Sequence, residues 1–242
     1  MKKTIFSFVM MITVAGVSGQ QVPSILQTSP KFWETGVNPS LKSVSITFDQ
    51  SLRHGFSSWL GKSSLSPTSQ LESANSEDGR TFTLTATFEP GKVYVFALNE
   101  KRISGVGFQS KRGVPLPAHF LVFQTAGSPS PDDSPPRIVR SIPVSGDQQV
   151  DPARTKAIVL SFDKAMQTDK HGLHLFDNNQ SVDLSKARSG YSADGRTFTL
   201  YYDFKPSTPY RLELNSVNDI GFATANKVPL WPVQIAFTTG QH

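Results

Sequence analysis

One seven-residue phrase occurs twice, as Asp78-Gly79-Arg80-Thr81-Phe82-Thr83-Leu84 and as Asp194-Gly195-Arg196-Thr197-Phe198-Thr199-Leu200. Each occurrence leads to Phe-x-Pro (Phe88-Glu89-Pro90, Phe204-Lys205-Pro206) and then to a tyrosine-led run, Tyr94 to Asn99 and Tyr210 to Asn215. Repetition in the same order means two copies of one folding unit. The offsets between copies are 113 for Pro23 and Pro136, 114 for Phe48 and Phe162, and 116 for Phe82 and Phe198. Their small drift, of one residue and then two, falls between the repeated segments, where surface loops absorb insertions.

Within a copy the apolar period is two. Val44, Ile46 and Phe48 alternate with Ser43, Ser45 and Thr47, and Ile158, Leu160 and Phe162 repeat the pattern, which defines half-buried strands facing a core. Phe82, Leu84 and Phe88 are expected to pair, through a turn at Glu89–Lys92, with Tyr94, Phe96 and Leu98 as a hairpin, and the second copy is expected to do the same around Lys205–Thr208. Pro90 to Tyr94 and Pro206 to Tyr210 place a tyrosine at the start of a strand, where its ring packs on the core edge and its hydroxyl reaches an upstream backbone group. With 17 Gly and 17 Pro, the chain reads as short strands separated by punctuated turns. Two units of about 105 residues fit the ~100-residue scale of an immunoglobulin-like sandwich. The fold expected is all-β: two tandem antiparallel immunoglobulin-like β-sandwiches, over residues 20–127 and 136–242, joined by a proline-rich semi-rigid spacer at 128–135.

Ahead of the first copy, Met1-Lys2-Lys3-Thr4 precedes a short apolar run from Ile5 to Val17 and the small residues Ser18 and Gly19. This is the pattern of a cleaved signal peptide over residues 1–19, and it predicts export to the periplasm, cell surface or extracellular space. No later apolar run reaches the roughly 20 residues of a spanning helix, so no membrane span is expected in the mature chain. Cysteine is absent, which removes disulfides and thiolate chemistry. The net charge of +5 includes Lys2 and Lys3, leaving +3 (5 minus 2) after cleavage, too mild to indicate nucleic acid.

Several motifs resemble the SbsA-type bacterial Ig-like domain. They are the early prolines Pro30 and Pro143, the Val-x-Pro steps Val37-Asn38-Pro39 and Val150-Asp151-Pro152, and the strand ends Phe48-Asp49 and Phe162-Asp163 with Met166 soon after. The repeated phrase, the Pro-x-x-x-Tyr steps and Val217-Asn218-Asp219 ahead of Asn226 complete the likeness, which covers almost the whole mature chain twice. The first copy departs from it after Leu98, where Lys101-Arg102-Ile103-Ser104 replaces an aspartate-bearing turn. The resemblance implies an extended, non-catalytic module at the cell surface or in the extracellular matrix, with no active site and no cofactor.

The alternative is a periplasmic copper or calcium carrier. For it stand His171 and His174, and an oxygen-rich segment from Asp177 to Asp183. Against it, residues three apart on a strand face opposite ways, Val182 and Arg188 stand where a calcium loop has glycine and glutamate, and Gln20 replaces the N-terminal histidine of copper carriers of similar shape. The residues in which the first copy exceeds the shared scaffold are the candidates for contact with a cell-wall polymer or a surface protein. They are Phe32 and Trp33, then Lys101, Arg102, Lys111 and Arg112 around Phe108, combining aromatics with local positive charge.

Overall fold

The computed structural model describes residues 21–53, 59–61, 65–67, 72–99 and 107–241. The first copy forms β1 (Ile25–Ser29), β2 (Glu34–Val37), β3 (Ser43–Phe48), β4 (Trp59–Gly61), β5 (Glu72–Asn75), β6 (Thr81–Thr85), β7 (Val93–Leu98) and β8 (His119–Thr125). The second forms β9 (Ile138–Ile142), β10 (Ala157–Phe162), β11 (Leu173–Asp177), β12 (Gln180–Ser181), β13 (Ser189–Tyr191), β14 (Thr197–Tyr201), β15 (Pro209–Leu214) and β16 (Val233–Thr238). Sheets β1-β3-β6-β5 and β2-β8-β7-β4 make one sandwich, and β9-β10-β14-β13 and β16-β15-β11-β12 the other. The fold is all-β, with two immunoglobulin-like sandwiches in tandem. The ladders are antiparallel except β2 on β8. The second copy replaces β2 with the segment 144–150, which runs beside β16 through Gly146 N–H to Ala236 O and Thr238 N–H to Asp147 O.

The alternating residues fill the cores as their period requires. Val44, Ile46 and Phe48 are fully buried on β3, as are Ile158, Leu160 and Phe162 on β10. The expected hairpin does not form: β6 and β7 lie in different sheets, and the segment Ala86–Lys92 carries the chain over the edge of the sandwich. Both strands still point Leu84, Phe82, Tyr94 and Phe96 inward, which is why an inward-facing pattern resembles a hairpin. The tyrosines fasten this crossing. Glu89 N–H donates to the Tyr94 hydroxyl at 2.7 Å and Lys205 N–H to the Tyr210 hydroxyl at 2.9 Å, and burial pushes both phenols up from their ordinary pKa.

The repeated phrase is a turn with a clamp. Asp78 accepts from the Ser76 hydroxyl at 2.6 Å and the Arg80 amide at 3.0 Å, and Asp194 from Ser192 and Arg196 in the same way. These bonds, led by the serine hydroxyl, hold both carboxyls below their ordinary value. Gly79 and Gly195 take φ of 66° and 67°, a left-handed turn position that glycine fills without strain. The arginines then reach back to strand-end carbonyls, Arg80 to Phe48 and Asp49, Arg196 to Asp163. Asp49 and Asp163 tie the start of each copy, accepting from Ser24 N–H and Arg137 N–H.

Each last loop is tied by one asparagine. Asn99 donates to Phe108 O and Leu116 O while Phe108 N–H donates to its side-chain oxygen; Asn215 does the same with Phe222 and Leu230. From residue 107 onward the first copy's loop therefore keeps the second copy's geometry, despite the different sequence at 101–104, which lies outside the described residues.

Candidate functional site

Alternation of burial fails in the paired strands β7 and β8. All six residues of β7 are buried, and β8 is buried from Phe120 to Phe123. Tyr94, Phe96 and Leu98 face the first sandwich's own core; Val93, Val95, Ala97, Phe120 and Val122 face the other way. They form a cluster with Leu65 and with Val228 of the second sandwich, against which Trp33, Ile220 and Trp231 pack. The proline-rich spacer thus joins two bodies that touch through a desolvated seam. Apolar area removed from water here stabilises contact between the copies at about 25 cal/mol per Å².

Polar contacts fix the seam's register. Phe120 N–H donates to Val217 O at 2.6 Å, Asn218 Nδ2 to Ala118 O at 2.8 Å, and Trp231 Nε1 to the Trp33 carbonyl at 3.0 Å. The indoles of Trp33 and Trp231 meet edge to face, centroids 5.4 Å apart at 67°. Trp33 has φ of 61°, uncommon for a large residue, and its N–H donates to Val122 O at 2.6 Å. Its indole N–H is buried with no partner among the described residues. At the spacer, Lys164 Nζ donates to Ser134 O at 2.6 Å, and Asp133 accepts from the Ser130 hydroxyl at 2.7 Å.

The seven residues singled out from the sequence do not assemble into one surface. Trp33 belongs to the seam. Phe108 is fully buried among Phe48 and Phe82, with centroids 5.2 and 5.0 Å away, so its place in the core corrects the expectation that it faces a partner. Phe32 is half-buried against the first core and lies 6.4 Å from the His119 ring. Lys111 and Arg112 are exposed at the tip of the last loop, and Lys101 and Arg102 lie outside the described residues. The seam itself is legible only in retrospect: Val93-Tyr94-Val95-Phe96-Ala97-Leu98 is a continuous apolar run, the mark of a strand covered on both faces.

His171 rests its ring 5.0 Å from Phe198, with Nε2 3.2 Å from the Ser189 hydroxyl, whereas His174 lies on β11 opposite Glu213. Asp177 closes a tight turn at Asn178 and Asn179, both in the left-handed region. It is paired with Lys205, whose hydrogen bond holds its carboxyl below the ordinary range. Among the described residues no three metal-ligating side chains converge, and no helix is long and apolar enough to cross a membrane.

Residues 132–239 match a family model described as a bacterial Ig-like domain (Big_5), a span that covers the second sandwich. Among solved structures, the chain is similar to the titin Ig tandem A164–A165, at 12% identity over 91% of this chain and 97% of that one, with a TM-score of 0.26. It is similar to the tandem Ig repeats of Dlar at 11% identity, covering 90% and 96%, with a TM-score of 0.25. A third similarity is to the N-terminal part of the bacterial S-layer protein SbsC, at 14% identity, covering 90% of this chain and 44% of that one, with a TM-score of 0.30. None of the curated proteins compared matches the chain.

Proposed function

We propose that this chain is an exported, non-catalytic module of the SbsA-type bacterial Ig-like class, with a structural or binding role at the cell surface or in the extracellular matrix. The observation that supports this reading is the seam, in which Val93, Val95, Phe120 and Val122 pack with Val228 and Trp231; on this reading the seam holds the two sandwiches as one stiff unit. A pair held this way keeps its far surfaces at a fixed separation and orientation, as a spacer or presenting module requires. The exposed cations Lys111 and Arg112 suit an anionic polymer or the acidic face of a surface protein, and Lys101 and Arg102, outside the described residues, precede them by ten positions in the sequence.

Two measurements on the full chain test the reading. Exported protein isolated from cells should begin at Gln20 and be labelled on intact cells by a reagent that cannot cross the inner membrane. Its thermal unfolding should be a single transition. Retention of Met1 in a cytosolic pool would overturn the exported role, and two well-separated transitions would overturn the stiff unit.

A further inference from the structure

We propose that the second sandwich carries a binding groove for an acidic polysaccharide along β13 and β14, a deepening of the binding role above. A cavity of about 500 Å³ is lined by Lys156, Lys186, Arg188, Tyr201 and Tyr202 together with Asp183 and Asp203. A second, of about 310 Å³, continues along Ser189 to Ser192 with Thr197 and Thr199, and shares Arg188 and Tyr201 with the first. The two adjoin at Arg188 and Tyr201.

Local bonds organise the groove. Tyr201 N–H donates to Arg188 O at 2.9 Å, and the Arg188 guanidinium lies 3.7 Å from the Tyr201 ring centre. Tyr201 remains 44% exposed, one of the few large apolar-bodied side chains so presented. Tyr202 N–H donates to Lys156 O at 3.1 Å, and its ring is braced 5.2 Å from Phe204. Asp203 pairs with Lys156 at 3.4 Å, and Asp183 accepts from the Ser185 amide, which holds its carboxyl below the ordinary range. Lys186 and Arg188 then remain as exposed cations with no carboxylate partner among the described residues.

The duplicate sandwich shows which of these features the fold needs. Ser73 pairs with Leu84 as Ser189 pairs with Leu200, so Arg188 corresponds to Glu72, Tyr191 to Asn75, Tyr201 to Thr85 and Tyr202 to Ala86. The same sheet forms in the first copy with a carboxylate in place of the guanidinium and no tyrosine at any of the three positions. Rings, hydroxyls and unpaired cations in one groove match a single ligand class. A sugar ring offers an apolar face to Tyr201 and hydroxyls to Thr197 and Thr199, which share the outer face of β14 with it, while anionic substituents answer Lys186 and Arg188.

The first copy's own residues supply a test that spares the fold: Tyr201→Thr with Arg188→Glu in the full chain. Probes are polygalacturonate for carboxylate and phosphomannan for phosphate, with neutral dextran and poly-glutamate as controls. The parent chain should bind at least one acidic glycan about ten-fold more tightly than either control, and the double variant should lose about that factor with its melting temperature unchanged. Binding to poly-glutamate as tight as to the glycans would overturn the saccharide class. An undiminished double variant, or no acidic glycan bound at all, would overturn the groove. Loss on Lys111→Ala with Arg112→Ala instead would move the contact to the first sandwich, overturning this site while leaving a surface-binding role intact. None of these outcomes bears on export or on the single unfolding transition, so the two readings fail separately.

Discussion

β7 and β15 occupy the same place in their sandwiches and share an inward face, Tyr94, Phe96 and Leu98 against Tyr210, Leu212 and Leu214. Their outward faces differ. β7 and β8 present Val93, Val95, Ala97, Phe120 and Val122, all covered. β15 and β16 present Pro209, Arg211, Glu213, Gln234 and Ala236, all at least partly exposed, with Arg211 paired to Glu213 and its guanidinium 3.9 Å over the Phe176 ring. The inner faces specify a sandwich, and the outer faces specify what lies beside it.

The sharpest way to break that comparison is to give β7 the residue of β15. Val95→Arg would bury an unpaired charge in the seam and should destabilise the chain by roughly 3 kcal/mol or more, splitting one unfolding transition into two in denaturant titration. Trp231→Ala removes the seam's edge-to-face contact and the bond to the Trp33 carbonyl. It should cost about 2 kcal/mol, read as a lowered denaturant midpoint, with loss of coupling between copies.

Tyr94→Phe and Tyr210→Phe test what the copies share. Each leaves one amide, of Glu89 or Lys205, without its acceptor, and each should cost about 1–2 kcal/mol by thermal melt; a large inequality would mean the crossings are not equivalent. The Asp78 and Asp194 carboxyls are depressed in the folded chain, so their contribution is complete above the ordinary carboxylate value of about 3.9 and is lost as pH falls below it. Asp78→Asn and Asp194→Asn should therefore flatten acid-limb melts to a similar degree. Smallest of all, Arg211→Val should shift stability by only about 0.5–1 kcal/mol, because it gives up a partly exposed ion pair and one cation–ring contact while leaving the inward face of β15 intact.

The sequence was informative wherever a rule acted locally. The period of two located β3 and β10, and the doubled phrase located the Asp-Gly turns, because alternation and turn chemistry are written residue by residue. The assignment of β6 and β7 to one hairpin failed for a physical reason: strands on opposite sheets of a sandwich point inward with the same spacing as neighbours within one sheet. Trp33 read as a loop aromatic because its cover, Trp231, lies 198 residues away, a distance no local pattern spans. Phe108 stood among lysines and arginines, and only the Asn99 tie shows why it turns inward. Tyr201 and Arg188 carried no motif, and comparison with Thr85 and Glu72 needed the strand register to align them.

The charged pair on β15 has a consequence for growth. A third sandwich docking by the rule that joins the first two would have to desolvate Arg211 and Glu213, and so would the loop of another molecule approaching head to tail. Head-to-tail contacts that repeat without closing produce filaments, and a polar outer face is how stacked repeats end. Arg211 and Glu213 thus raise the desolvation cost of covering β15 as β7 is covered.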